Sequence, residues 1–515
     1  PRSTLFPYTT LFRSEAPIST ASFLTYELLE QLLEPYNPEE YDAVLISGLI
    51  PWDATNIKSK FRGKIKKGPK TLGGLVEILK KVPLEALSST IAAEMVYSSD
   101  MQTKLDGILQ QRRETAIQSI PVNAFRLSDQ FPDIIFCPVL PPIILAEIVD
   151  APKLPFSEIV QKARHYIASG AQIVDIGGVA NEDNSEKLRE IVIALKNEIR
   201  CPVSIDSGNY KEIKAAVEAG ADMVLSASLD NYHHLLDLPK SLPIVIIPVN
   251  VKNGEAPRNP KEAIAGLMQL GKIFSEHGFQ KLLLDPITRV PINPGLAMTI
   301  ETLSLLQNGI ASLPESDDEG TPLAKPQLFM GLGNVTEMMD ADSPGINALL
   351  AVLGSELGVT AFLTTEFSKK CRHSIQELAK SVRLAYLAQQ IHSAPLNLGI
   401  DAFHFKTKSG YPHYIPFNEP IVDVGTENTV ASMDPCGFFK IYIDEPEGLI
   451  KVTHFSNDIQ NLNATKTFVG SSSEPLYKAI IAAGLVSRLD HAAYLGKELN
   501  KAELALNYGT HYLQE

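Results

Sequence analysis

Cysteine is scarce in this chain: Cys137, Cys201, Cys371 and Cys436 are its four, and no two stand in a CxxC spacing. That excludes a disulfide scaffold, argues against a cysteine zinc site and fits a reducing cytoplasm. Long apolar runs are missing too. Residues 134–146 are too few for a bilayer and hold Pro138, Pro141 and Pro142; residues 384–400 are broken by Gln389, Gln390, His392 and Pro395. No membrane span is expected. Positive charge is in deficit, with 46 Lys and Arg against 60 Asp and Glu and a net charge of −14. Nucleic acid and anionic membrane are therefore excluded as main partners, and an anionic substrate would need local donors. What is present, 44% hydrophobic and 21% charged residues, is the composition of folded globular domains.

Three segments differ in pattern, and we place their bounds at 15–135, 136–395 and 396–515. Residues 1–14 (PRSTLFPYTTLFRS) resemble a translated sequencing adaptor and lack the unbroken apolar core of a signal peptide. The first segment reads as a small α/β domain, with a strand over 43–46 and a basic stretch from Lys58 to Lys70. That stretch is expected to be a solvated loop or helix face, with a phosphate-binding edge as the alternative. In the middle segment, short β-branched runs alternate with amphipathic stretches eight times. The strands expected are 143–148, 173–176, 203–206, 223–226, 244–250, 282–285, 328–331 and 359–363. Gly170, Gly220, Gly278 and Gly358 fall where a helix ends before the next strand, and Gly220-Ala-Asp echoes Gly170-Ala-Gln. Eight units in this length favour a (β/α)8 TIM barrel over an open doubly wound sheet. The fold expected is therefore α/β, a central barrel between a smaller N-terminal and a C-terminal α/β domain. An acidic insertion over 312–326 reads as a surface loop. The last segment carries a strand pair, 438–443 and 449–453, a turn at 470–473 and helical patterns.

Barrels carry their chemistry at strand C-termini. Those positions hold Glu147, Asp175, Asp206, Ser226, Asn250, Asp285, Asn334 and Glu366. A buried strand that ends in Asp must open on water or suffer a large desolvation cost, so the mouth should be a polar cup. Such a cup suits a ligand with a guanidine-like edge, as a pterin has, because carboxylates accept from its donors and amides both give and accept. No His-rich cluster joins these acids, so no resident metal site is expected. Helix capping is the competing role for each Asp.

The runs Gly170–Gly178 (GAQIVDIGG), Val203–Ser207 (VSIDS), Ala219–Met223 (AGADM) and Leu283–Pro286 (LLDP), in that order, resemble the dihydropteroate synthase superfamily of pterin-binding barrels. The resemblance implies that Asp206 and Asp285 hold the pterin ring and act in the transfer, and that Asp175 orders the loop after the second strand. Glu147, Ser226, Asn250 and Asn334 complete the implied pterin set. Departures are plain. Ala146–Asp150 stands where synthases have Asn-Val-Thr-Pro-Asp, and Val179–Glu182 where they have Ser-Thr-Arg-Pro. Gly331–Thr336 (GLGNVT) resembles instead an element of the methyltetrahydrofolate–corrinoid methyltransferases, which implies a contact of Asn334 near pterin N5. Lys369 and Arg372, beyond the eighth strand, are the bases that would meet a diphosphate, with a solvated helix start as the alternative. Magnesium would arrive with that diphosphate.

The three-part layout, with Lys67-Gly68-Pro69-Lys70 in its leader, resembles the dihydropteroate synthase-like proteins linked to tetrahydromethanopterin. The run His491–Glu503 (HAAYLGKELNKAE) is similar to the corrinoid-binding subunit of the tetrahydromethanopterin S-methyltransferase. A corrinoid is thus the less favoured cofactor, with His413, His454 and His491 as candidate axial ligands and ordinary packed or surface histidines as the competing reading. The function implied is a transferase joining a dihydropterin diphosphate to an arylamine. The alternatives are a methylpterin–corrinoid methyltransferase and a non-catalytic pterin carrier. Pairing of two copies is expected from the same resemblance.

Overall fold

The computed structural model describes residues 24–50, 52–70, 75–121, 123–250, 255–313, 325–396, 398, 400, 402, 433–457 and 463–514. The leader 1–14, most of the insertion 312–326 and His413 lie outside the described residues.

The N-terminal elements are α1 (Tyr26–Leu33), β1 (Val44–Ile46), β2 (Ile65–Lys67), α2 (Leu75–Lys81) and α3 (Ala93–Gln118). β1 and β2 pair in parallel, Val44 opposite Ile65. The basic stretch is thus no uniform solvated face. Its alternation buries Ile65 and Lys67, and the Lys67 ammonium donates to the Ile50 carbonyl at 2.8 Å.

A hairpin of β3 (Phe125–Arg126) and β4 (Ile135–Phe136) leads into the barrel. The barrel strands are β5 (Ile143–Ile148), β6 (Ile173–Gly177), β7 (Val203–Asp206), β8 (Met223–Ala227), β9 (Ile244–Ile246), β10 (Leu282–Leu284), β11 (Gln327–Gly331) and β12 (Val359–Thr365). All neighbours are parallel, and β12 pairs with β5 to close the ring. The intervening helices are α4 (Phe156–Ala168), α5 (Ser185–Glu198), α6 (Tyr210–Glu218), α7 (Pro260–Glu276), α8 (Leu296–Ala311), α9 (Gly333–Thr336), α10 (Ser343–Glu356) and α11 (Ser374–Gln390). One expected unit differs. Between β8 and β9 only a 3-10 turn, Tyr232–His234, replaces the helix. That connection is short and holds Pro239 and Pro243, each lacking the N–H a helix interior needs.

The repeated Gly-Ala signature marks one turn used twice. Gly170 and Gly220 take φ of 109° and 104°. After each, the alanine N–H returns to the helix, Ala171 to Tyr166 and Ala221 to Ala216, both at 3.0 Å. This is the left-handed cap that glycine adopts without the Cβ penalty.

Period-two alternation sorts the strands into two cores. Ile144, Ala146, Val174, Ile176, Val203, Ile205, Leu282 and Leu284 face the helices. Ile143, Leu145, Ile173, Met223, Leu225, Val245, Leu283, Phe329 and Ala361 fill the interior with Phe125, Leu127, Ile134 and Phe136. The β3–β4 hairpin therefore plugs the N-terminal end. Lys281 donates to the Leu127 carbonyl at 3.0 Å and Gln327 to that of Asn123 at 2.7 Å, fastening the plug.

The C-terminal elements are an antiparallel sheet of β13 (Phe438–Asp444), β14 (Leu449–Phe455) and β15 (Ala464–Gly470), with α12 (Ser473–Ala482) and α13 (Leu489–Tyr508) packed on it. The third strand was not expected. It is an edge strand whose first four residues are exposed, so it lacks the alternation that marks a half-buried strand.

Candidate pterin site

The same alternation that points Leu145, Ile173 and Leu283 into the barrel points Glu147, Asp175 and Asp285 inward two residues later. Val203 and Ile205 face outward, which turns Ser204 and Asp206 inward. The interior is thus apolar below and acidic above. Laterally, Glu147 pairs with Asp175, Asp175 with Ser204, and Gly177 with Asp206, so Asp206 stands one layer above Asp175.

One oxygen from each of Glu147, Asp175 and Asp206 comes within 4.8 Å of the others, a group that could hold a metal ion. The sequence, having no histidines there, did not signal this. Gly177 makes the convergence feasible: a Cβ on it would lie 2.6 Å from Glu147 Oε1. Asp175 is fully buried; its Oδ1 accepts the Ser204 hydroxyl, while Oδ2 has no hydrogen-bond partner.

Burial dominates the protonation of these acids. It pushes Glu147 up to about 8, helped by the charges of Asp206 and Asp150. Burial raises Asp206 to about 6. Asp285 rises to about 7 through burial, opposed by the Ile287 N–H that donates to its Oδ1 at 2.8 Å, with Asp206 adding to the rise. Asp175 is raised well above the carboxylate range by burial and by Asp206 and Glu147. A cup of this kind keeps some of its carboxyls protonated at neutral pH and meets neutral donors and cations readily.

The remaining expected residues take other places. Ser226 lies where the β8–β9 register breaks, and its carbonyl accepts from Asn231 at 3.1 Å. Asn250 follows β9, its N–H donating to the Glu255 carbonyl at 2.9 Å. Asn334 is exposed and donates to the Thr288 carbonyl at 2.7 Å, tying the loop after β11 to that after β10. Glu366 turns to the helices, 3.0 Å from His165 and accepting from Ile375 N–H at 3.3 Å. Lys369 is 86% exposed and lies 3.7 Å from Glu445. The Arg372 stem packs beside Gly509, where a glycine Cβ would stand 3.0 Å from its Cδ. The C-terminal elements thus lie beside both bases, Glu445 near the Lys369 ammonium and Gly509 against the Arg372 stem.

Two structural residues at the mouth went unforeseen. Asn231 is buried and clasps the turn after β8 by accepting from Ser228 N–H at 2.8 Å. Glu212, 1% exposed, accepts from the Ser207 hydroxyl and from Asn184 N–H at 2.7 Å, joining the loops after β6 and β7. In sequence it reads only as an acid in the first turn of a helix, a common partner of the helix dipole.

In the C-terminal elements, the buried Asp434 accepts from Cys436 N–H at 2.9 Å, from Ser487 N–H at 3.0 Å, from the Ser487 hydroxyl and from Arg488 N–H at 3.1 Å. His491 Nδ1 lies 2.9 Å from its Oδ2. Against the cost of burial, the bonds from Ser487, Cys436 and His491 hold the Asp434 carboxyl far below the ordinary range. His454 is also buried, between Thr465 and the Cys436 carbonyl, 2.8 Å away.

A parallel eight-stranded barrel with an acidic, plugged cup is a fold that places its chemistry at the mouth. The pterin binding enzyme family matches residues 151–290, and the PterinBD-DUF4346 family matches residues 433–515. Along its length the chain is 31% identical to the uncharacterized protein MJ0107 of Methanocaldococcus jannaschii, covering 97% of this chain and 93% of that one. A dihydropteroate synthase of Synechocystis is 34% identical over 74 residues, 13% of this chain and 26% of that one. A Yersinia pestis dihydropteroate synthase structure with a pterine-sulfa conjugate aligns at 17% identity and a TM-score of 0.38, over 48% of this chain and 94% of that chain. The chain belongs to the same family as the Methanocaldococcus protein, and its barrel carries the match to the pterin binding enzyme family. Among the described residues, no helix is long and apolar enough to cross a membrane.

Proposed function

We propose that the cup binds a 6-hydroxymethyl-dihydropterin diphosphate and joins it to an arylamine, in the assembly of a folate-like pterin such as tetrahydromethanopterin. The observation that carries this reading is the pair of inward carboxylates, Asp206 and Asp285, with the charge of Asp206 felt at Asp285. A pterin's 2-amino group and ring N–H are donors that these two groups, as acceptors, match. In the reaction the amine nitrogen forms a bond to the methylene carbon while the carbon–oxygen bond to diphosphate breaks, and the ammonium proton passes to water. Such a displacement needs alignment more than covalent help, so holding the ring still contributes much of the acceleration. The relative in a methanogen supports the choice of pterin, and the departures from the synthase loops support an arylamine bulkier than p-aminobenzoate.

The test is a coupling assay read by mass spectrometry, offering dihydropterin diphosphate and magnesium with either p-aminobenzoate or a ribofuranosyl aminobenzene phosphate. Coupling with the second amine alone is expected. Pterin binding at unchanged affinity in both Asp206→Asn and Asp285→Asn would refute the site. One observation favours a second reading, methyl transfer from a methylated pterin to a corrinoid. His491 has its Nδ1 fixed by buried Asp434, the arrangement that orients a metal-ligating imidazole. Cobalt in the purified protein, with no coupled product, would shift the assignment to it.

A further inference from the structure

Glu147, Asp175 and Asp206 stand on three consecutive strands, and their oxygens converge within 4.8 Å. The charges of Asp206 and Asp150 bear on Glu147, and those of Asp206 and Glu147 on Asp175, all of one sign. A second observation is independent of this clustering. The Asp175 side chain is completely buried, and with Oδ1 held by Ser204 its Oδ2 has no hydrogen-bond partner. Leaving a buried acceptor unsatisfied is costly, and the cost is greatest for a carboxylate. A pterin N–H could satisfy one oxygen but would bring no charge to three that meet at one place. Asp175 also lies a layer below Asp206, deeper than the pair assigned to the ring.

We propose that Glu147, Asp175 and Asp206 hold one hard divalent cation, Mg2+ or Mn2+, in the floor of the cup, its other positions filled by water or a substrate oxygen. An all-oxygen set without His or Cys selects such ions over zinc or copper. The glycine at 177 is what lets the Glu147 carboxylate reach the other two. This ion would bind with no substrate present, which separates it from magnesium carried in on a diphosphate. The inference shares its location with the pterin reading but does not depend on it.

The test uses the full chain, stripped by a chelator and titrated with Mn2+ alone at pH 8, the free ion being followed by electron paramagnetic resonance. One Mn2+ per chain, displaced by Mg2+, is expected. Glu147→Gln and Asp175→Asn should each weaken binding by at least about tenfold, since even outer-shell partners of a metal are worth that much. Asp340→Asn, at a fully exposed carboxylate, should bind as the wild type does. Glu147→Gln keeps the side chain's size, and circular dichroism establishes that it folds. Absence of stoichiometric Mn2+ in the wild type, or unchanged affinity in folded Glu147→Gln, would overturn the proposal. Pterin binding measured in the presence of chelator reports separately on the pterin reading.

Discussion

Glu147→Gln should make the ligand-free barrel less sensitive to mild alkali. A carboxyl whose pKa is raised in the folded chain binds its proton more tightly folded than unfolded. Its burial therefore costs little below the ordinary value and costs more as pH rises towards the raised one. For Glu147 the limits are 4.5 and about 8. At about 1.4 kcal/mol per pH unit, less the ends of the titration, the barrel loses on the order of 3 kcal/mol from this group between pH 4.5 and 7. Glutamine fills the same space above Gly177 and carries no proton to titrate, so that share of the slope disappears. The C-terminal elements form a separate core, and a single global transition would mix the two. Amide hydrogen exchange of peptides from β5, β6 and β7, measured between pH 5.5 and 8 and corrected for the intrinsic rate, isolates the barrel. Wild-type protection should fall with pH and the variant's should stay flatter. Parallel profiles in the two proteins would refute the claim that an uncompensated Glu147 charge burdens the cup.

Gly177→Ala should lower pterin affinity at least about tenfold while the barrel still folds, because the new Cβ would lie 2.6 Å from the movable Glu147 carboxylate; isothermal titration with a dihydropterin checks it. Asp434→Ala should destabilise the C-terminal elements by about 3 kcal/mol, since it strands several buried donors at once, a loss visible in urea unfolding followed by near-ultraviolet circular dichroism. Asp434 also sets an opposite pH trend. Its depressed pKa contributes stability above the ordinary value near 3.8 that is lost as pH falls below it, so wild type and Asp434→Asn should converge in stability in acid.

The barrel was legible because Val- and Ile-rich runs bounded by glycine repeat at βα spacing, and because Leu145–Glu147 and Ile173–Asp175 carry the change from apolar to acidic within one inward stripe. Asp206 and Asp285 could be placed at the mouth for the same reason. The closeness of Glu147 to the other two acids could not. It depends on the empty inward position at Gly177 on the neighbouring strand, a lateral register that no local pattern encodes. Lys369 and Arg372 could be read either as diphosphate bases or as a solvated helix start, and no local pattern placed Glu445 and Gly509, far along the chain, beside them. Lys67 read as solvated because its neighbours are basic, and only the pairing of β1 with β2 buries it. Asn334 matched a ligand motif, and the sequence did not show that one of its amide N–H groups ties to the Thr288 carbonyl.

The hairpin of β3 and β4 has a kinetic consequence. With Phe125, Leu127, Ile134 and Phe136 stopping one end, the barrel is a vessel with a single opening. A molecule that reaches the acids at the bottom must arrive before anything that settles nearer the rim. For the proposed coupling this means the pterin enters before the arylamine, and the two leave joined through the same mouth. That order of entry belongs to the stoppered tube and holds whichever amine the rim receives.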